Sequence, residues 1–144
     1  MKLKVGLDSS VIIQLLAKRS SHHSRSMAAC DSLVTSGAEF VLTDHALLES
    51  FSVLSRSPAP IGVAPMDAER ILYEGFGKAT IAPLRPGSAW DTIRSTLSHG
   101  FWGGRVYDAA IALATFEAGA RLLLTWNVKH FHSVAPFGLE VREP

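Results

Sequence analysis

Short apolar segments of strand length alternate with longer segments of helical pattern along almost the whole chain. Strands that are separated by helices are joined by crossover connections, which make neighbouring strands parallel and cover both faces of the sheet. The pattern therefore predicts an α/β fold, a three-layer α/β/α sandwich around a central, mostly parallel sheet of four to five strands. The predicted strands cover residues 3–7, 40–42, 80–82, 121–124 and 139–141.

The segments between these strands carry the boundary signals of helices. Gly37 stands where a glycine usually follows a helix C-terminus. A third helix begins at Thr43 or Asp44, either of which can cap it, and runs to about Arg56, where two prolines in residues 58–64 require a loop. The other predicted helices cover residues 10–17, 24–36, 66–74, 87–98 and 106–118.

Size and composition predict one compact domain over residues 1–144. The chain is 47% hydrophobic and 19% charged, it has no internal repeat, and its length suffices for a buried core. Its apolar runs are far shorter than the roughly 20 residues of a membrane span, and the N-terminus has no signal-peptide pattern. We therefore expect a cytoplasmic protein without a membrane contact. A formal net charge of +1 argues against a strongly basic nucleic-acid coat, so any polyanion site must be local.

Three carboxylates, Asp8, Glu49 and Asp108, interrupt otherwise apolar segments. A buried carboxylate is costly unless it is paired, hydrogen-bonded or bound to a metal. Asp8 follows the first predicted strand, and the other two lie near the beginnings of helices. Because the functional crevice of an open parallel sheet lies outside the carboxyl ends of its strands, all three can meet there. This arrangement predicts a shared site for a divalent cation.

Each carboxylate also has a structural interpretation. Asp8 can cap the first helix, which is compatible with metal binding, and Glu49 can lie on the exposed edge of an amphipathic helix. Asp108 can be an N-terminal helix carboxylate favoured by the dipole, although its neighbours are apolar. Thr125 and Asn127, after the fourth strand, are expected at the same edge, but they can also simply form a turn.

Four segments resemble, in order and spacing, the motifs of PIN-domain ribonucleases, and more narrowly those of VapC-type toxins from type II (VapBC) toxin–antitoxin modules. They are LDSS (7–10), LESF (48–51), GRVYDAA (104–110) and LTWNVKHF (124–131). The resemblance extends from Lys4 to about Glu143. It implies a PIN-like fold and a metal-dependent endoribonuclease that hydrolyses RNA phosphodiester bonds with Mg²⁺ or Mn²⁺.

The resemblance also implies roles for individual residues. Asp8 and Asp108 match metal ligands, and together with Glu49 and Asn127 they form the predicted catalytic set. Glu49 would hold a water or act as a base toward it, and Asn127 would orient that water or a ligand. Hard oxygen donors suit Mg²⁺ or Mn²⁺ rather than zinc.

Substrate contacts are predicted at Ser10, Arg105 and Thr125. Ser10 matches a small polar position that assists the site. Arg105 can contact phosphate or the RNA backbone, with structural pairing to a nearby carboxylate as the alternative. Tyr107 and Trp102 can stack on an unpaired base, but core packing is the favoured interpretation for both.

The chain departs from the family pattern at Asn127, where many members have a fourth acid. His130 can compensate, although packing is the favoured role of the His130–Phe131 pair. An inactive PIN module that binds RNA or a protein partner is therefore the alternative function. The expected partners are an RNA substrate, a VapB-like antitoxin that covers the acidic crevice, and a second copy of the chain in a homodimer.

Overall fold

The sheet has five strands, all parallel. The computed structural model describes the whole chain, residues 1–144. The strands are β1 (Lys4–Leu7), β2 (Glu39–Thr43), β3 (Thr80–Ala82), β4 (Leu122–Leu124) and β5 (Glu140–Arg142). Their order in the sheet is β3-β2-β1-β4-β5. The predicted parallel sheet is confirmed, with strand ends that differ by at most one residue from those expected.

Seven helices surround this sheet: α1 (Ser9–Leu16), α2 (His23–Thr35), α3 (Asp44–Arg56), α4 (Pro65–Phe76), α5 (Ser88–Ser98), α6 (Arg105–Glu117) and α7 (Val128–His132). The sequence pattern does not predict α7, because five residues are too few to show a helical period. Of the two possible caps of α3, Thr43 is the cap, since its hydroxyl accepts the Ala46 N–H at 3.1 Å. The assignment of Asp44 as the cap is wrong.

The helices form two layers. α1 to α4 connect β1, β2 and β3, whereas α5 and α6 connect β3 to β4. Right-handed crossovers place these two groups on opposite faces. Contacts agree with this placement, because α1 packs on α2 and α3, α3 packs on α4, and α6 packs on α5 and α7. The predicted three-layer sandwich is therefore confirmed. No helix combines the length and the apolar character that crossing a membrane requires.

A glycine lets α6 lie close over the central strand. Gly6 lies in β1, and a Cβ added to it would overlap the Thr115 methyl group of α6. Thr115 is itself buried, as are Leu7, which follows Gly6 in β1, and Ile111, one turn before Thr115 in α6. This close approach holds the helix that carries Asp108 against the strand that ends at Asp8.

The strand order creates a crevice beside β1. The chain leaves β1 toward β2 and β3 on one side and returns through α5 and α6 to β4 on the other side. β1 and β4 are hydrogen-bonded neighbours, with Leu7 opposite Leu124 at their carboxyl ends. Such a topological switch point is where open α/β sheets bind their ligands.

Candidate functional site

Asp8 lies at the switch point and is firmly held. It is 3% exposed, and its backbone N–H donates to the Leu124 carbonyl of β4 at 3.1 Å. Its Oδ2 accepts hydrogen bonds from Ser10 Oγ at 2.8 Å and from Thr125 Oγ1 at 2.9 Å. Its Oδ1 receives only a long contact from Ser9 Oγ at 3.4 Å. One carboxylate oxygen is therefore anchored, while the other keeps its lone pairs for a ligand.

The turn after β4 supports this anchor. The Trp126 N–H donates to Ser10 Oγ at 3.0 Å, and the Asn127 N–H donates to Thr125 Oγ1 at 3.0 Å. Both hydroxyls that hold Asp8 are thus oriented by the backbone of this turn. Thr125 has no exposed surface, and its hydroxyl donates to Asp8; its predicted substrate contact stays a prediction. Asp8 also caps α1, as the structural interpretation allows.

Glu49 faces Asp8 through Ser9. Ser9 Oγ donates a hydrogen bond to Glu49 Oε1, and the Glu49 side chain is 43% exposed. The second oxygen, Oε2, lies 3.4 Å from His45 Nε2, one turn earlier in α3. Glu49 is therefore tied to the site rather than free on the edge of an amphipathic helix. Sequence reasoning missed Ser9 and His45, although the i, i+4 spacing of His45 and Glu49 was a usable signal.

Asp108 is held much more loosely. It lies in the first turn of α6, where its side chain is 22% exposed. No protein group donates a hydrogen bond to its carboxylate, and the nearest basic atom is His130 Nδ1, 3.9 Å from Oδ2. The position of Asp108 is thus set mainly by the placement of α6.

The two aspartates repel each other in a partly dehydrated site. Burial raises the pKa of Asp8, although the hydrogen bonds from Ser10 and Thr125 oppose this. Burial, and next the charge of Asp8, raise the pKa of Asp108 to about 6, and the charges of His130 and Arg105 only partly oppose the rise. The cluster therefore has an excess of negative charge that a bound cation would relieve.

Arg105 does not pair with a carboxylate directly. Its Nη1 donates to Ser133 Oγ at 3.0 Å, and its guanidinium lies 4.7 Å from the centre of the Phe101 ring. Its charge still acts on Asp108 from a distance. The Asn127 residue precedes α7 with an exposed side chain that makes no hydrogen bond within the protein. Neither residue's predicted role is decided by these contacts.

The aromatic residues near the site differ from expectation. Tyr107 is 53% exposed and Trp102 is 76% exposed, so the favoured prediction of core packing is wrong for both. Tyr107 lies on the open face of the first turn of α6, and Trp102 lies in the turn before it. The His130–Phe131 pair divides, because Phe131 is buried in the core while His130 faces Asp108.

Another cluster that sequence reasoning missed surrounds Trp126. The Trp126 Nε1–H donates to the buried Ser26 hydroxyl at 3.0 Å. The His22 ring stacks on the indole at a centroid distance of 3.9 Å, and the Arg25 guanidinium lies 4.9 Å from the indole centre. This cluster ties α2 to the turn that orients Ser10.

The donor atoms fit a magnesium-like ion. No three His, Cys, Asp or Glu side chains are grouped closely enough to hold a metal among themselves. The site instead offers the carboxylates of Asp8 and Asp108, with Glu49 linked through Ser9. Mg²⁺ is usually bound by one or two carboxylates and keeps several waters, whereas zinc prefers nitrogen and sulfur ligands. Asp8 Oδ1, which has only a long contact with Ser9, and the carboxylate of Asp108, which accepts no hydrogen bond, therefore suit Mg²⁺ rather than zinc.

Comparison with known proteins places the chain in a family. It is 35% identical over 122 residues to Ribonuclease VapC27 of Mycobacterium tuberculosis (strain ATCC 25618 / H37Rv), a match that covers 85% of this chain and 84% of the relative. The chain belongs to the VapC family of PIN-domain ribonucleases. The predicted resemblance is confirmed, although no protein-family model matches the chain.

Solved structures share the fold of this VapC-family protein. VapBC2 from Rickettsia felis, bound to a DNA fragment from its promoter, has a TM-score of 0.70 at 14% identity, and the match covers 99% of each chain. VapC20 of M. tuberculosis, described as a sarcin-ricin loop cleaving toxin, has a TM-score of 0.68 at 12% identity, covering 92% of this chain and 96% of that one. VapBC-1 from nontypeable Haemophilus influenzae has a TM-score of 0.67 at 18% identity, covering 98% of each chain.

Proposed function

We propose that this VapC-family protein is a Mg²⁺- or Mn²⁺-dependent endoribonuclease that hydrolyses RNA phosphodiester bonds, and that it is the toxin of a toxin–antitoxin pair. One observation supports this most directly: Asp8, Glu49 and Asp108 converge at the switch point of the sheet with an unbalanced negative charge. The family of the chain supplies the activity class, because its relative is a ribonuclease.

Asp8 and Asp108 are the residues that would hold the ion. When bound, it would acidify a water and stabilise the charge that develops on the scissile phosphate. Ser10 and Thr125 present Asp8 in one orientation, in which Oδ1 has only the long contact with Ser9. Ser10 and Thr125 would thus position Asp8. Arg105 would contact the substrate directly, because its charge attracts the phosphate backbone.

Glu49 is the proposed base. Ser9 holds its Oε1, and its Oε2 lies within 3.4 Å of His45, so the carboxylate has a defined orientation beside Asp8. A proton from the attacking water would pass to Glu49, and the exposed amide of Asn127 would orient that water through its carbonyl oxygen. A base must lie within hydrogen-bond reach of the proton that it takes, which a free surface glutamate would not guarantee.

The first experiment is cleavage of structured RNA by the purified, antitoxin-free protein. Because VapC20 is described as cleaving the sarcin-ricin loop, ribosomal RNA containing that loop belongs in the panel beside transfer RNA. We expect discrete cuts with Mg²⁺ or Mn²⁺, none with chelator, and none from Asp8→Ala or Asp108→Asn. Equal products from wild type and both variants would contradict the nuclease assignment.

The second candidate function is an inactive module that binds RNA or a protein, and the reason for it is Asn127. An amide in place of a fourth acid brings an oxygen ligand without charge, which weakens the attraction for a cation. Calorimetry with Mn²⁺ separates the two functions. Binding that is lost in Asp108→Asn favours the enzyme, and no binding to the wild type favours the inactive module.

The proposed protein partner is a VapB-like antitoxin. The solved relatives from R. felis and H. influenzae are VapBC assemblies. In this chain an apolar groove of about 350 Å³ opens between α3 and α4, with the carboxylate of Glu69 at its edge. An amphipathic antitoxin helix with a basic residue suits such a groove. Its apolar lining consists of Leu47, Leu48, Phe51, Leu72, Tyr73, Phe76 and Ile81.

Co-purification with the product of a neighbouring short reading frame tests this partner. We expect Leu48→Asp to weaken the complex while leaving RNA cleavage intact, because Leu48 is exposed in the groove. An unchanged complex would exclude the groove as the antitoxin site. Light scattering of the free protein tests the proposed homodimer.

A further inference from the structure

Two aromatic rings from different helices stack beside the carboxylates. The His45 ring of α3 and the Tyr107 ring of α6 have centroids 4.6 Å apart and planes within 7° of parallel. Tyr107 directly precedes Asp108, and His45 lies one helical turn before Glu49. The stacked pair is therefore bracketed by two carboxylates of the proposed nuclease site.

The orientation of this pair is defined. His45 Nε2 lies 3.4 Å from Glu49 Oε2, and that carboxylate is itself held by Ser9. The imidazole, whose Nε2 makes no hydrogen bond within the protein, backs one face of the phenol ring. Tyr107 is nevertheless 53% exposed, because no other ring covers it. A flat aromatic surface is thus held in place with much of its area open to solvent.

This exposure is not explained by folding. Tyr107 belongs to neither cluster of the hydrophobic core, and its hydroxyl makes no hydrogen bond within the protein. Exposed aromatic rings of this kind bind nucleobases by stacking, because every base has a flat π-face. Proteins that recognise RNA by its bases act mainly on unpaired, splayed nucleotides.

We propose that the open face of Tyr107, backed by His45, is the stacking subsite for the unpaired base next to the scissile phosphate. This inference rests on the proposed function, because the carboxylates beside the ring are what place a phosphodiester there. The subsite takes any unpaired base and favours purines, whose larger π-face covers more of the ring. It predicts cuts at unpaired nucleotides rather than within duplexes.

Binding in chelator tests the subsite separately from cleavage. The probes are a fluorescent oligoadenylate of about 12 residues and an abasic ribose-phosphate chain of the same length and charge. We expect wild type to bind the oligoadenylate about 10-fold more tightly than the abasic chain. Tyr107→Ala should lose this difference, Tyr107→Phe and Tyr107→Trp should retain it, and Trp90→Ala, which alters an exposed aromatic residue of α5, should match wild type.

Cleavage supplies the second readout. With Mg²⁺ or Mn²⁺, Tyr107→Ala should cut about 10-fold more slowly at subsaturating RNA, with the same cut positions and an unchanged melting temperature. If wild type cuts RNA but Tyr107→Ala binds and cuts like wild type, the subsite is refuted and the nuclease stands. If wild type cuts nothing yet binds the base-bearing probe preferentially through Tyr107, the ring is a base-stacking site of an inactive RNA-binding module, and its place beside a scissile phosphate is refuted together with the nuclease. Equal binding of both probes by wild type refutes the subsite, and a Tyr107→Ala variant that loses only antitoxin affinity assigns the ring to protein binding instead.

Discussion

The Asp8 and Asp108 sides of the site are built in opposite ways. Asp8 is 3% exposed, and its Oδ2 is held by two hydroxyl groups at 2.8 and 2.9 Å. Asp108 receives no hydrogen bond from the protein, and only His130, at 3.9 Å, stands near its charge. One carboxylate is therefore oriented by the fold, whereas the other accepts no hydrogen bond within the protein.

The difference follows from the elements that meet at each residue. Asp8 lies where β1, α1 and the end of β4 converge, so groups from all three reach it. Asp108 projects from α6 alone, and of the two basic groups whose charge acts on it, His130 lies on the short helix α7 and Arg105 lies at the start of α6 itself. In the proposed nuclease, the fold would thus fix one metal ligand, and the bound ion would order the other.

The largest effect is expected from Asp8→Ala. It should reduce metal-dependent cleavage by about 10³-fold, more than the 10–100-fold typical for a residue that only supports a ligand. It should also destabilise the metal-free protein by about 1–3 kcal/mol, because the Ser10 and Thr125 hydroxyls lose their acceptor. Cleavage assays and urea unfolding measure both quantities. Full stability in this variant would contradict the anchored half of the comparison.

Asp108→Asn should reduce cleavage about as strongly as Asp8→Ala. Unlike that variant, it should stabilise the metal-free protein near neutral pH. The pKa of Asp108 is raised from 3.8 to about 6, so the folded state retains a proton that the unfolded state has already lost. Wild-type stability should therefore fall as pH rises from about 4 to about 6. The variant lacks this loss of stability. After allowing for solvent screening, we expect its free energy of unfolding above pH 6 to exceed that of wild type by on the order of 1 kcal/mol.

Unfolding in chelator at a series of pH values measures this gain. Saturating Mn²⁺ should remove the difference or reverse it, because the ion binds the folded wild type preferentially. A variant less stable than wild type at every pH would contradict the claim that Asp108 is loosely held in the metal-free protein.

Thr125→Val should reduce cleavage by about 10–100-fold, the range seen when a partner of a metal ligand is removed. The change keeps the volume of this fully buried residue but removes the hydroxyl that donates to Asp8. Thr125→Ser is the matched control and should retain most of the activity. If Val and Ser variants cut RNA equally well, the hydroxyl does not position Asp8.

Asn127→Asp is expected to have the smallest effect, a change in metal affinity. A fourth negative charge should increase Mn²⁺ affinity several-fold in calorimetry, since it adds an attraction that the amide lacks. It should also slightly lower metal-free stability, because in the proposed site the new charge would lie beside the already repelling carboxylates of Asp8 and Asp108. Unchanged affinity would place Asn127 outside the metal's reach.

Local patterns in the chain were enough to predict the parallel sheet and six of the seven helices. They also predicted which residues lie at the carboxyl ends of the strands. Those predictions depend on periodicity, capping residues and motif order, all of which act over a few neighbouring residues. The structure confirms the fold, and it brings Asp8 and Glu49 together through Ser9. The short helix α7 and the cap of α3 were not resolved by such patterns.

Other features depended on contacts between distant parts of the chain. The Thr125–Asp8 hydrogen bond and the Tyr107–His45 stack each join residues more than 60 positions apart. The exposure of Tyr107 and Trp102 was mispredicted because an aromatic residue on or just before an apolar helix is buried only where another element covers it. The sequence by itself thus determined the order of elements and the chemistry available at one edge. Tertiary packing alone decided which carboxylate is anchored, which is loosely held, and which ring remains open.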